Sequence, residues 1–307
     1  MAEMVATRDA YGKALVELGK VNENIIVLDA DLSKSTKTYA FGQEFPERFI
    51  NVGIAEQNLM GVAAGLSTAG KIVFASTFAI FATGRAFEIV RNAIGYPKLN
   101  VKICATHSGI TVGEDGASHQ AIEDISCMRT IPNMTVIVPS DSVETRAAIH
   151  AVSKMDGPVY VRLGRLAVPT INDKTSYKFE IGKGVVLNKG DDATIIATGL
   201  MVGEALKAAK ELETKGIKAR VINIHTIKPI DENLIIEAAK ETGAIVTAEE
   251  HNIIGGLGSA VAEVIGENCP VPLKRIGIRD TFGESGKPAE LMKKYGLTSD
   301  GIVKAVI

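Results

Sequence analysis

This chain of 307 residues has no tryptophan, few other aromatics and only three cysteines. With Phe, Trp and Tyr at 5%, its cores must be built from Val, Ile, Leu and Ala. Cys104, Cys127 and Cys269 are odd in number and far apart, so neither a disulfide framework nor a metal-ligand spacing can be read from them. They suit a reducing cytoplasm, each as a small buried apolar residue. Charge of one sign is also missing: 34 Lys and Arg stand against 36 Asp and Glu. The net charge of −2 gives no electrostatic footprint for nucleic acid. No stretch of about 18 apolar residues occurs, so no membrane span is expected. The opening Met1-Ala-Glu-Met-Val-Ala-Thr-Arg8 has no apolar run and does not read as a signal peptide. What remains, 46% hydrophobic and 23% charged, is a globular composition with length enough for two domains.

Short apolar runs at 25–28, 49–52, 71–77, 101–105, 134–138 and 159–163 read as strands. Helical patterns alternate with them. The stretch 7–18 has Tyr11, Leu15 and Leu18 at helical spacing and Gly19 as its stop. Another helix opens after Gly53, a third runs from Phe78 through Ile94, and a fourth follows Pro139 with Ser140 or Ser142 as its cap. Residues 169–183 are polar and aperiodic, and read as a linker. Strands at 193–197, 219–224 and 244–248 then alternate with a helix at 203–214 and one capped by Asp231. The expected fold is α/β, with two domains, each a mostly parallel sheet flanked by helices. Its divisions are 1–168, the linker 169–183, and a smaller domain at 184–307.

Several stretches carry chemistry. Glu56 stands at the first turn of an Ala- and Gly-rich helix, where the helix dipole favours a carboxylate and loss of water raises its pKa if no cation faces it. Phe78 and Phe81, three apart, fall on one helical face and could wall a flat heterocycle or simply pack. The loop 106–120 collects His107, Glu114, Asp115 and His119 among three glycines, which lets backbone approach a ligand. His107 and His119 lack a familiar metal spacing and no cysteine joins them, so no metal is assigned to this chain. Near the end, Glu249-Glu-His-Asn252 follows a strand, and Gly255-Gly-Leu-Gly-Ser259 precedes a helix. Such a turn can hold an anion on free amides, but no Lys follows it, so close packing is preferred.

With these residues in place, nearly the whole chain resembles the second half of a transketolase, the thiamine-diphosphate-dependent family. Thr106-His-Ser-Gly-Ile-Thr-Val-Gly-Glu-Asp-Gly-Ala-Ser-His-Gln120 with Glu123 is the most specific match. Val52-Gly-Ile-Ala-Glu56 resembles the segment of the family's catalytic glutamate, and Ser76-Thr-Phe-Ala-Ile-Phe81 its aminopyrimidine pocket. Ala6-Thr-Arg8, Ala30-Asp-Leu-Ser-Lys-Ser35 and Arg165 match positions that hold substrate phosphate. The resemblance implies a pyrimidine-binding domain followed by the family's C-terminal domain. It implies that Glu56 bonds N1′ of the aminopyrimidine, that Phe78 and Phe81 wall that ring, and that His107 and His119 contact the sugar and relay protons. Asp115 would bind a sugar hydroxyl, while Arg8, Ser35 and Arg165 would hold the phosphate. The reaction implied is transfer of a two-carbon ketol unit from a ketose phosphate to an aldose phosphate, in the pentose phosphate pathway of the cytoplasm.

The sequence departs from the family in places. Gly84 stands where many relatives have Tyr, Ser108-Gly109 replaces Asp-Ser, and Ala117 replaces Pro. The family's Gly-Asp-Gly motif, which holds the diphosphate through Mg²⁺ or Ca²⁺, is absent. A split enzyme is therefore expected, with a separate N-terminal subunit supplying that motif and the metal, in an α2β2 assembly. Three alternatives stay open from the sequence: a deoxyxylulose-phosphate-synthase-like enzyme, a 2-oxoacid dehydrogenase β subunit, and a non-catalytic regulatory paralogue.

Overall fold

Central strands of this chain are mostly apolar, and such strands fold stably in a sheet only if helices cover both faces. The computed structural model describes residues 3–307. The first half runs β1 (Met4–Ala6), α1 (Thr7–Val21), β2 (Ile25–Asp29), α2 (Ser33–Thr36), α3 (Tyr39–Glu44), β3 (Phe49–Asn51), α4 (Glu56–Thr68) and β4 (Ile72–Phe78). It continues with α5 (Phe87–Ile89), β5 (Val101–Thr106), α6 (Asp124–Arg129), β6 (Thr135–Ile137), α7 (Ser142–Val152), β7 (Val159–Arg162) and β8 (Ala167–Pro169). The second half holds β9 (Val185–Asn188), β10 (Ala193–Ala197), α8 (Met201–Thr214), β11 (Ala219–Asn223), β12 (Thr226–Lys228) and α9 (Glu232–Thr242). It closes with β13 (Ile245–Asn252), α10 (Leu257–Asn268), β14 (Leu273–Ile278), α11 (Pro288–Lys294) and α12 (Ser299–Val306).

One sheet has seven strands in the order β12-β6-β7-β5-β4-β2-β3, and all of its pairs are parallel except β12 with β6. The second has five, β14-β13-β10-β11-β9, with β9 the antiparallel edge. Pleating sorts the first sheet's side chains. Ile25 and Val27 pack with Tyr11, Leu15 and Leu18 of α1 and Ile149 of α7, whereas Ile26 and Leu28 pack with Leu59, Met60 and Ala63 of α4. That second core runs on through Tyr160 and Ile224 to Ile196, Ala238 and Ala260, so one apolar body joins both halves.

The α/β architecture of two parallel-rich sheets agrees with the expectation, and several local readings do not. Gly19 does not stop a helix; α1 runs on to Val21. A Cβ at Gly19 would overlap the rings of Phe45 and Phe41, lying 2.7 Å from the latter, so this glycine serves close approach. Gly19→Ala should therefore lower stability by about 1–3 kcal/mol through overpacking, read as a lower denaturant midpoint at unchanged activity. The cap of α7 is Asp141, which accepts the Glu144 N–H at 2.8 Å, rather than Ser140 or Ser142. The polar segment 169–183 is pinned rather than free: the other Asp141 oxygen accepts the N–H groups of Ile171 and Asn172, both at 2.7 Å. Tyr177 donates to buried Glu144, which also accepts from Asn223 at 2.8 Å. Unforeseen too is β12, a second-half strand that completes the edge of the first sheet.

Candidate functional site

In parallel sheets, ligands gather beyond the carboxyl ends of the strands. Here the ends of β4 and β5 place Phe78 and Thr106 side by side, Asp29 at the end of β2 stands beside Ser76, and His107 follows Thr106 at once. His107 has φ +57°, a left-handed conformation that costs a non-glycine residue of order 1 kcal/mol. Its ring lies on Phe78, with centroids 3.8 Å apart. Phe78 and Phe81 stack at 5.9 Å and 14°. His119 meets their edges at 6.3 and 5.5 Å. The reason given from sequence was incomplete: Phe78 ends strand β4, and only Phe81 belongs to the helical segment, a π-helical turn over Phe81–Arg85.

Glu56 opens α4 and is 1% exposed. A cation does face it: Arg85 Nη1 stands 3.1 Å from Oε2. The same guanidinium lies over the Phe81 ring at 5.1 Å. A planar, nitrogen-bearing group can thus stack on Phe81 and donate to Glu56 at once. That is the geometry an aminopyrimidine requires, so these residues fit the ring of thiamine diphosphate. Gly84, just before Arg85, is exposed and a Cβ there would meet nothing within 4 Å.

Arg8 connects the rest. Its Nη1 donates to the Ser35 carbonyl and to His107 Nε2, both at 3.1 Å. A guanidinium can only donate, so Nε2 is the acceptor and the ring proton sits on Nδ1, facing Thr106 Oγ1 at 2.9 Å. Burial, then the charges of Arg8 and Arg165, push His107 down to about 3, which keeps it neutral at ordinary pH. Lys37 adds to that positive field and was not singled out from the sequence. Arg8 Nε is buried and has no hydrogen-bond partner among the described residues. His119 has Nδ1 2.9 Å from Ser118 Oγ.

Other candidates sit less centrally. Ser35 offers its backbone carbonyl to Arg8. Arg165 turns onto the Val112 carbonyl and to Glu114 at 3.3 Å. Asp115 ends the 3-10 segment Ile110–Asp115 and is exposed. The sequence reading also missed Arg85 and a buried ionic group under the loop. Asp124 accepts Arg162 through both oxygens, at 2.7 and 3.0 Å, and Tyr160 at 2.7 Å. Glu249, Glu250 and His251 continue strand β13 instead of following it. The Gly255–Ser259 turn does present free amides, and a carboxyl of the chain itself takes them: Glu249 accepts the N–H groups of Leu257 and Gly258 at 2.7 and 2.8 Å. A signal for this group was present, since three ionisable residues ending an apolar strand are costly unless paired.

Comparison with known proteins identifies the two domains. Residues 3–170 match the family described as "Transketolase, pyrimidine binding domain", and residues 182–302 match "Transketolase, C-terminal domain". A putative transketolase C-terminal section from Methanocaldococcus jannaschii is 57% identical over 98% of this chain and 95% of its own length. A 6-deoxy-6-sulfo-D-fructose transketolase subunit from Clostridium sp. (strain MSTE9) is 48% identical over 97% of this chain and 92% of its own. A solved structure described as a split gene transketolase, inactive β4 tetramer, superposes with a TM-score of 0.93 at 61% identity, covering 98% of this chain and 97% of that one. The chain belongs to the thiamine-diphosphate-dependent transketolase family and carries that family's pyrimidine-binding and C-terminal domains.

Proposed function

We propose that this chain is the C-terminal subunit of a two-chain transketolase, active only with an N-terminal subunit that supplies Gly-Asp-Gly and the metal. The observation that carries the reading is buried Glu56 beside the Phe78–Phe81 wall in a chain without Gly-Asp-Gly. Ile54, two residues before Glu56, is 78% exposed, an apolar side chain that a partner subunit would cover. The working division is a pyrimidine-binding domain to residue 168, a pinned connector over 169–183, and a C-terminal domain from 184. The assembly proposed is α2β2 and cytoplasmic; no helix among the described residues is long and apolar enough to cross a membrane.

Each residue takes a role from its position. Glu56 shares a proton with N1′ of the aminopyrimidine, and Phe78 and Phe81 hold that ring flat. Bound thiamine diphosphate supplies the carbon nucleophile and electron sink for the two-carbon unit. His107, neutral with Nε2 as acceptor, takes a hydrogen bond from a substrate hydroxyl once Arg8 turns to the phosphate. His119 donates from the opposite edge of the Phe pair. Asp115 takes a sugar hydroxyl at the rim. Arg8, Ser35 and Arg165 hold the phosphate in the positive field that, with burial the larger cause, keeps His107 neutral.

A tagged pull-down from the source cells, with mass spectrometry, tests the reading. A co-purifying chain of similar size with Gly-Asp-Gly supports it; turnover by this chain alone, in pure form, would sink it. In the reconstituted pair, Arg165→Ala should raise the apparent KM for phosphorylated sugars about 10–100-fold, the worth of a charged hydrogen bond. An equal effect on unphosphorylated sugars would remove Arg165 from the phosphate site.

A further inference from the structure

Strand β13 carries no ionisable side chain through Ala248 and then buries three in succession, Glu249, Glu250 and His251. Glu249 is committed to the amides that open α10. Glu250 points elsewhere. Its Oε1 accepts the Thr111 N–H at 2.7 Å, across 139 residues of sequence, inside the loop that carries both site histidines. The loop is shaped around that carboxylate. Gly109 has φ +76°, and a Cβ there would land on the Glu250 carboxylate. The Thr111 side chain is itself buried, at 1% exposure. A cavity of about 20 Å³, room for one water, is lined by Glu250, Thr111, Ser108, Arg162 and Thr7.

The geometry points to Glu250, a residue of the C-terminal domain, as the positioning residue for the His107–His119 loop. It acts through Thr111, whose amide it fixes, and not on the substrate. This gives the C-terminal domain a part in the proposed reaction beyond packing, and its kinetic consequence rests on the two-chain reading above. Other charged groups around it are accounted for. From β7, Arg162 donates to the Glu250 backbone carbonyl at 3.0 Å and pairs with Asp124 of α6. Burial, against the pull of Arg162, pushes the Glu250 carboxyl up to about 7. Its charge therefore changes across the neutral range, and the Thr111 bond is strongest when it is ionised.

Two variants test the assignment. Glu250→Gln keeps an acceptor for Thr111 and removes the charge; Glu250→Ala removes both. Amide hydrogen exchange is measured on the chain, and kcat, KM and the apparent thiamine diphosphate affinity on the reconstituted pair from pH 5.5 to 8.5. For Glu250→Ala, exchange at 109–120 should quicken about tenfold or more, the loss of one buried hydrogen bond. Its kcat should fall by a similar factor while cofactor affinity holds. Glu250→Gln should keep the loop protected and lose the kcat limb near neutrality. Wild-type exchange in the Ala variant overturns the assignment, as does faster exchange spread evenly over the chain, which would make Glu250 a residue of general stability. Loop exchange that responds as expected, with no turnover from any pairing, would count against the two-chain reading and leave the role of Glu250 standing.

Discussion

Glu56→Gln should reduce turnover of the reconstituted pair about 10²–10⁴-fold, the usual worth of a positioned proton-transfer group, and leave the fold intact. The amide has the shape of the carboxyl group, and its oxygen still accepts from Arg85, now 3.1 Å from Oε2. Burial at 1% exposure makes shape the first concern, and Gln satisfies it. What Gln lacks is the ability to share a proton with a ring nitrogen. The loss should therefore fall on kcat, with the thermal midpoint and far-ultraviolet spectrum unchanged. A coupled assay with a ketose phosphate donor and an aldose phosphate acceptor reads it. Retention of more than about a tenth of the wild-type rate, well outside the expected range, would refute the role. An Ala variant is the poorer probe, because it opens a void at the first turn of α4.

Much of the sheet was legible because buried parallel strands are dominated by apolar residues, as at Ile25–Asp29 and Val101–Thr106. The site was legible where unusual residues crowd together, as in the loop from His107 to His119. Failures have a common cause in long-range contact. Gly19 looks like a stop because nothing in the sequence says that Phe45 and Phe41 will press on α1. Strand β12 is only three residues long, and its partner β6 lies about ninety residues earlier. Glu249 to His251 were not read into the strand because polarity ends a strand pattern locally, whereas here Thr111 and the start of α10 satisfy the Glu250 and Glu249 carboxyls, and Arg162 the Glu250 carbonyl, from afar. Arg85 escaped for another reason. The π-helical turn shifts it out of α-helical phase, so spacing alone does not aim it at Glu56 and Phe81.

Arg162→Met should cost about 3–5 kcal/mol, the penalty for breaking a buried ion pair by removing one partner. Arg162 and Asp124 are 5% and 0% exposed at the side chain. The guanidinium does more than pair with Asp124: it also donates to the carbonyls of Ala121 at 3.2 Å and Glu250 at 3.0 Å. Met fills much of the volume and replaces none of these bonds. Asp124 would keep only the Tyr160 hydroxyl, at 2.7 Å. The pH dependence has a definite sign. Burial raises the Asp124 carboxyl, but Arg162 outweighs burial and holds it below the usual range. A depressed carboxyl stabilises the fold above its unfolded pKa, near 3.9, and that stability is lost as pH falls through the folded value. Without Arg162, only the Tyr160 hydroxyl and the nearby His251 oppose burial, so the carboxyl rises, and the variant is relieved as pH drops and Asp124 takes a proton. Denaturant unfolding should therefore show a large deficit at pH 8 and a smaller one near pH 5. Replacing both partners by apolar residues should recover part of the loss, since no unpaired charge then remains. A deficit below about 1 kcal/mol at pH 8, the range of exposed pairs, would mean that Asp124 finds another partner and that this ion pair does not hold the loop's underside in place.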